Sequence, residues 1–181
     1  MFTLFRLLAR FPLPLLHAAG AFAGWLTWIA SGHYRRRLRE NAAQAGLAPA
    51  QARAAVGHTG RMVAELPLMW ARPHAQPLGD RVQWEGVEHV EAALAAGRGL
   101  LLLTPHLGSF EVVGQAYAER FGTTRPMTAM YRPPRKAWLR PLVEHARARP
   151  GLKTAPASVA GVRQMIRALR QGECVAVLPD Q

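Results

Sequence analysis

At 181 residues, half of them hydrophobic, the chain suits one domain, or one domain with an anchor, and has ample apolar material for a core. Its 23 basic and 11 acidic residues give a formal charge of +12, which points to a polyanionic partner: nucleic acid, an anionic membrane surface or a phosphorylated ligand. The single cysteine, Cys174, excludes an intramolecular disulfide framework and a cysteine-rich zinc site; the 7 histidines show no HExxH-like spacing, so no metal and no cofactor is expected.

The first element is apolar. Phe11 to Ser31, "FPLPLLHAAGAFAGWLTWIAS", has only His17 ionisable, and as a helix it would span roughly 30 Å, about the hydrocarbon thickness of a bilayer. Trp25 and Trp28 suit an interfacial belt, and Arg35, Arg36, Arg37 and Arg39 follow directly. Residues 1–34 therefore read as a membrane-anchor helix with its flanks, the arginines favouring the cytoplasmic side for the rest of the chain. A cleaved signal peptide fits less well, because Pro12 and Pro14 interrupt the apolar run and the arginines stand on the wrong flank. A helix lying in the interface is the alternative, with Arg6 and Arg10 adding charge ahead of it.

Residues 35–79 are Ala-rich and helical in pattern, with Pro49 placed for a first helical turn and the loop "RPHAQPLGD" (Arg72 to Asp80) as the boundary. Beyond it the units alternate. "RVQWEG" reads as a strand, "VEHVEAALAAG" as a helix and "GLLLLT" as a strand, its apolar run continuous as in a strand buried on both faces. "SFEVVGQAYAERFG" reads as a helix capped by Ser109 and closed by Gly122. "PMTAMYR" follows as a strand, then the helices "KAWLRPLVEHARAR" and "SVAGVRQMIRALRQG", then the strand "CVAVLP", where Cys174 reads as core. This alternation predicts an α/β domain over 80–181, helices flanking a largely parallel sheet. The chain stops at "VLPDQ", a strand without its return element, so the reading expects this core to be incomplete at its C-terminus.

Between strand and helix stand His106 and Glu111. Five positions apart on one helix, the two side chains would point about 140° apart and could not meet. With His106 in the turn that Pro105 begins, Glu111 in the next helix's first turn can reach back to one imidazole nitrogen. A carboxylate there fixes the tautomer and leaves the other nitrogen free to take a proton. No protein nucleophile accompanies the pair, so the proton would come from a substrate hydroxyl. The alternative is a turn histidine bonded to a carbonyl, beside a glutamate that favours a helix N-terminus. Arg132 ends a later strand on the same sheet rim, with Arg135 and Lys136 close behind, and such cations can hold phosphate or an oxyanion. They also read as a solvated basic loop. Asp180 ends a third strand there, as a site acid or as a turn aspartate satisfying local amides. Arg163, Arg167 and Arg170 share one solvated helix face.

"HLGSFE", "MYRPPRK" and "LRQGECVAVLPDQ", in that order, resemble the late acyltransferases of lipid A biosynthesis, the lauroyl/myristoyl type within the lysophospholipid acyltransferase-like superfamily. The likeness runs over Val82 to Gln181, and "WEGVEHVEAALAAGRGLLLLTPHLG" is similar to that family's approach to its His-x4-Glu motif. The resemblance implies an inner-membrane enzyme facing the cytoplasm. Such an enzyme moves a fatty acyl group, usually from acyl carrier protein, onto a hydroxyl of a phosphorylated glycolipid, the lipid A precursor. It makes His106 the general base, Glu111 its orienter, Arg132 the arginine of the second motif and Asp180 the acid of the third. Relatives acting on glycerophospholipids usually carry His-x4-Asp, so Glu111 leans toward the lipid A branch. Acyl-CoA is the alternative donor, another glycolipid or a lysophospholipid the alternative acceptor, and an inert lipid-binding protein of the same fold the rival outside enzymes. Nucleic acid is not expected as a partner, because the arginines cluster beside an apolar anchor and no nucleic-acid motif occurs.

Overall fold

Among the described residues the first strand begins only at Leu100, and helix and loop precede it. The computed structural model describes residues 2–179, which divide into two units, one covering 2–68 and the other starting at Met69.

The first unit is built from α1 (Phe2–Leu8), α2 (Leu13–Ala30), α3 (Gly32–Gln44) and most of α4 (Pro49–Trp70). Proline opens α4, as its spacing predicts, because a first-turn residue needs no backbone N–H. Ser31 separates α2 from α3 and caps the latter, its hydroxyl accepting from the Tyr34 N–H at 3.2 Å. α2 is long and apolar enough to cross a bilayer, and only 17% of its span is buried within the protein, so most of its apolar side chains face outward. Phe22 and Ile29 are 71% and 69% exposed. Its buried stripe meets α4 through glycine: a Cβ on Gly60 would fall 2.0 Å from the Gly20 carbonyl oxygen, so neither position admits a side chain. The His17 ring and the Glu65 carboxylate join the same two helices at 2.7 Å. Trp28, expected in an interfacial belt, is instead buried, edge-on to Tyr34 with the Arg39 guanidinium 5.4 Å from its ring centroid. Trp25 stays exposed.

The second unit carries a four-stranded, wholly parallel sheet in the order β1-β4-β2-β3. The strands are β1 (Leu100–Leu103), β2 (Met127–Tyr131), β3 (Leu152–Pro156) and β4 (Cys174–Val177). Helices α5 (Val87–Ala95), α6 (Glu111–Phe121), α7 (Arg140–Arg147) and α8 (Val159–Arg170) connect and cover them, which is the α/β architecture the alternation predicts. Strand alternation sorts the core into two layers. Met127, Cys174 and Ala176 pack with Leu94 of α5 and Tyr117 of α6, while Ala155 and Val175 pack with Met165 and Ala168 of α8. Burying each of the larger apolar side chains is worth about 1.5–3 kcal/mol. Cys174 is core, and burial pushes its thiol pKa up to about 11.

Three expectations need correction. "RVQWEG" forms no strand: Gly79–Arg81 is a 3-10 turn, and the half-buried Val82 and Trp84 find no neighbouring strand, Trp84 meeting Phe121 edge-on instead. β1 is not buried on both faces, because it is an edge strand: Leu100 and Leu102 pack inward, whereas Leu101 and Leu103 are 52% and 60% exposed. β3 lies in a stretch that the sequence reading left without an element.

Candidate active site

The carboxyl ends of all four strands open onto one cavity of about 350 Å³, on the α6 side of the sheet. Thr104 and His106 enter it after β1, Arg132 after β2, Ala157 after β3 and Leu178 after β4. A parallel sheet tends to place its ligands there, since the loops at that rim are free to carry polar groups while the strands stay in the core. The deeper walls are apolar: Val113 and Gly114 of α6, Ala146 of α7, and Met127, Ala129, Leu152 and Ala176 of the sheet.

The turn that delivers His106 follows from its residues. Pro105 ends the strand, and Gly108 has a φ of +57°, a left-handed conformation that costs glycine nothing. The chain then rises into α6 through a turn in which the Val112 N–H bonds to the Ser109 carbonyl at 2.9 Å. Ser109 is thus not the side-chain cap its position suggests: Phe110 holds the cap position in helical geometry, with no side-chain cap bond. Phe110 also packs against the His106 ring, centroids 4.8 Å apart, which sets the ring's place at the cavity mouth.

Glu111 opens α6, where the helix dipole favours a carboxylate, and lines the cavity with His106 and Arg132. Its ion pair among the described residues is with Arg147 rather than His106: Arg147 Nη2 donates to Glu111 Oε1 at 3.2 Å. Arg147 lies in the last turn of α7 and lines the cavity as well. Its guanidinium stacks 4.7 Å from the Tyr131 ring centroid, so the cation is held between a carboxylate and an aromatic face. The Tyr131 hydroxyl is buried without a hydrogen-bond partner among the described residues, and burial raises its pKa. Sequence reasoning missed Arg147. A basic residue ending a helix is commonplace, and only the packing of α7 beside α6 makes this one part of the site.

Of the other candidates, Arg132 is at the cavity, whereas Arg135 and Lys136 are exposed and do not line it. Asp180 lies outside the described residues. Among the described residues no three His, Cys, Asp or Glu side chains gather as a metal site.

Behind the cavity a buried polar cluster ties the 71–81 loop to α6. Gln115, 2% exposed, donates to the Met69 carbonyl at 3.0 Å and accepts from Arg72 Nε and Nη2 at 3.3 and 2.8 Å. Arg72 also pairs with Glu119 at 2.6 Å and donates to the Gln76 carbonyl, while Glu119 accepts from the Leu78 N–H at 2.9 Å. Arg149 donates to the Arg72 carbonyl at 3.0 Å, and its pKa is lowered to about 10 by burial first and the Arg72 cation second. Gln115 itself lines the cavity, so this cluster braces its floor.

A parallel sheet whose carboxyl rim holds a histidine, a paired carboxylate and an arginine above a largely apolar cavity defines an α/β protein with a candidate active site at its strand ends. The whole chain, residues 1–181, matches the bacterial lipid A biosynthesis acyltransferases, and it belongs to that family. Over 77 residues it is 39% identical to a phosphatidylinositol mannoside acyltransferase of Mycobacterium tuberculosis (strain CDC 1551 / Oshkosh), which covers 42% of this chain and 24% of that protein. Over 104 residues it is 32% identical to a lipid A biosynthesis acyltransferase of Haemophilus influenzae, covering 58% of this chain and 31% of that one. The matched stretches thus span only 24% and 31% of these curated relatives.

Proposed function

We propose that the protein is a membrane-associated O-acyltransferase that moves a fatty acyl group from a thioester, on acyl carrier protein or coenzyme A, to a hydroxyl of a phosphorylated glycolipid. The observation that carries this reading is the shared cavity: His106, Glu111, Arg132 and Arg147 stand at one end of a space whose other walls are apolar enough for an alkyl chain.

In this mechanism His106 takes the proton of the acceptor hydroxyl as its oxygen attacks the thioester carbonyl. The tetrahedral intermediate collapses with cleavage of the C–S bond, and the imidazolium returns the proton to the departing thiolate. An ester and a free thiol result. Glu111, anchored by Arg147, has its second carboxylate oxygen to orient the imidazole once substrate closes the site, since such contacts often tighten only in the complex. Arg132 at the mouth is placed to bind phosphate or the developing oxyanion. The acceptor that the family suggests is a lipid A precursor. The likeness to a phosphatidylinositol mannoside acyltransferase favours, as a second reading, a different membrane glycolipid.

α2 supports attachment to the inner membrane, with the arginines of α3 favouring the cytoplasmic side. Offering the purified protein acyl carrier protein thioesters and acyl-CoA, with phosphorylated glycolipids, should give a lipid heavier by one acyl group in the mass spectrum. Undiminished transfer by His106→Ala would sink the mechanism. Deleting residues 1–31 should move most of the protein to the soluble fraction; sedimentation with membranes unchanged in salt would count against the anchor.

A further inference from the structure

The loop after β2 holds an exposed tryptophan among cations of which three, Arg135, Lys136 and Arg140, have no part in the catalytic reading. Arg132 to Arg140, "RPPRKAWLR", has four basic residues and no acidic one, and the nearest acid along the chain, Glu144, forms no ion pair with them. Among the described residues no ion pair involves Arg132, Arg135, Lys136 or Arg140. Trp138 is 47% exposed, although the turn that carries it is well anchored. Ala137–Leu139 is a 3-10 turn closed by the Leu139 N–H bonding to the Lys136 carbonyl at 3.0 Å, and Leu142 and Val143 just beyond it are buried. The anchored turn thus displays a large ring in a segment whose cations no described carboxylate neutralises.

We propose that this loop is a membrane contact of the α/β unit itself, with Trp138 seated in the headgroup region of an anionic bilayer and Arg135, Lys136 and Arg140 on its phosphates. An indole has an apolar body and one polar N–H, which suits the boundary between hydrocarbon and headgroups. Basic residues next to it gain from the negative surface potential of anionic lipid. The cavity supplies the third argument. Met130, itself 36% exposed, and Arg132 lie at the start of the same segment and line the cavity. A loop seated on the bilayer would therefore hold the cavity mouth at the lipid surface, where an apolar substrate could enter without crossing water. An acidic protein would be drawn by the same charges, but it is the continuity of this loop with an apolar cavity mouth that favours lipid.

The inference goes beyond the catalytic reading and would hold even if the chain transferred no acyl group. It is tested by Trp138→Cys carrying an environment-sensitive NBD fluorophore, in the full chain with Cys174→Ala, circular dichroism confirming the fold. With vesicles of phosphatidylcholine and phosphatidylglycerol the emission should shift to the blue and brighten several-fold, and spin-labelled lipid should quench it. Adding Arg135→Glu and Lys136→Glu should weaken that response at least tenfold. A second probe at Phe22→Cys, on α2, keeps the anchor separate. A shift at position 22 with none at 138 overturns this inference and leaves the anchor standing. A shift at 138 alone supports the loop and sinks the anchor, and silence at both overturns the two together. A response at 138 to acidic carrier protein but not to vesicles overturns the lipid assignment in favour of a protein partner.

Discussion

The two units use similar apolar material in opposite directions. In the helical unit most of the large side chains of α2 point outward, Leu16 and Trp28 excepted, and α2 meets α4 through glycine backbones and one His–Glu pair. In the α/β unit the core apolar side chains lie between sheet and helices, with arginine and glutamine buried beside them, although Leu101, Leu103 and Leu107 stay exposed. α2 is apolar nearly all round and only 17% of its span is buried, which is the feature on which the proposed anchor rests. The α/β unit covers its own apolar layers, so it can sink charged groups behind them and hold a polar site at the rim. The difference teaches that composition alone does not say which solvent a segment faces; the covering elements decide it.

The sharpest way to break this comparison is to ask whether each unit keeps to its own task. His106→Ala should lower acyl transfer by roughly 10²–10⁴-fold, the range for losing a general base, and leave sedimentation with membranes as it was. A turnover loss accompanied by release from membranes would show that the two roles are not divided this way. Glu111→Ala and Arg147→Ala should each impair transfer, and the double variant should do little further harm, because paired groups are not additive.

Next in size is the buried arginine. Arg72→Ala strands Gln115 and Glu119 and should cost about 3–5 kcal/mol in denaturant unfolding, the range for breaking a buried ion pair. A cost under about 1 kcal/mol would mean that the cluster is solvated and that the inward-facing picture of the α/β unit needs revision. In the helical unit the corresponding test is steric. Gly60→Leu forces a side chain into the Gly20 backbone and should destabilise by about 1–3 kcal/mol, read as a lower melting temperature. An unchanged melting point would show that α2 and α4 do not pack through glycine. The smallest effect belongs to the exposed pair Arg36–Glu40, 3.8 Å apart with both side chains more than 60% exposed. Arg36→Ala should change stability by no more than about 0.5 kcal/mol and should be insensitive to salt at that precision.

Much of the fold was legible from local pattern. The α2 span, the proline start of α4 and the helix–strand alternation from Val87 onward follow from periodicity and caps that act within a few residues. Two failures have a physical cause in common. "RVQWEG" alternates like a strand, but a strand exists only where it pairs with another, and this segment is paired to neither edge strand, β1 or β3. β3, "LKTAP", has poor strand composition and forms because β2 pairs with it along its whole length; at this edge Lys153 can reach Glu173 at 2.9 Å and Pro156 is tolerated.

The same division runs through the site. The sequence by itself determined that a proline-started turn would hold His106 at a strand's carboxyl end and that Glu111 would open the following helix, because turn and helix-start chemistry are local. It also located Arg132 at the same rim, since all strands of a parallel sheet end on one side. Only the tertiary structure decided that Glu111 meets Arg147, 36 residues away, and that Arg72 is buried on Gln115, 43 residues away. Those partners are chosen by how α6 packs against α7 and the 71–81 loop. Such packing joins residues that no spacing rule connects, so it becomes visible only when the helices are in place.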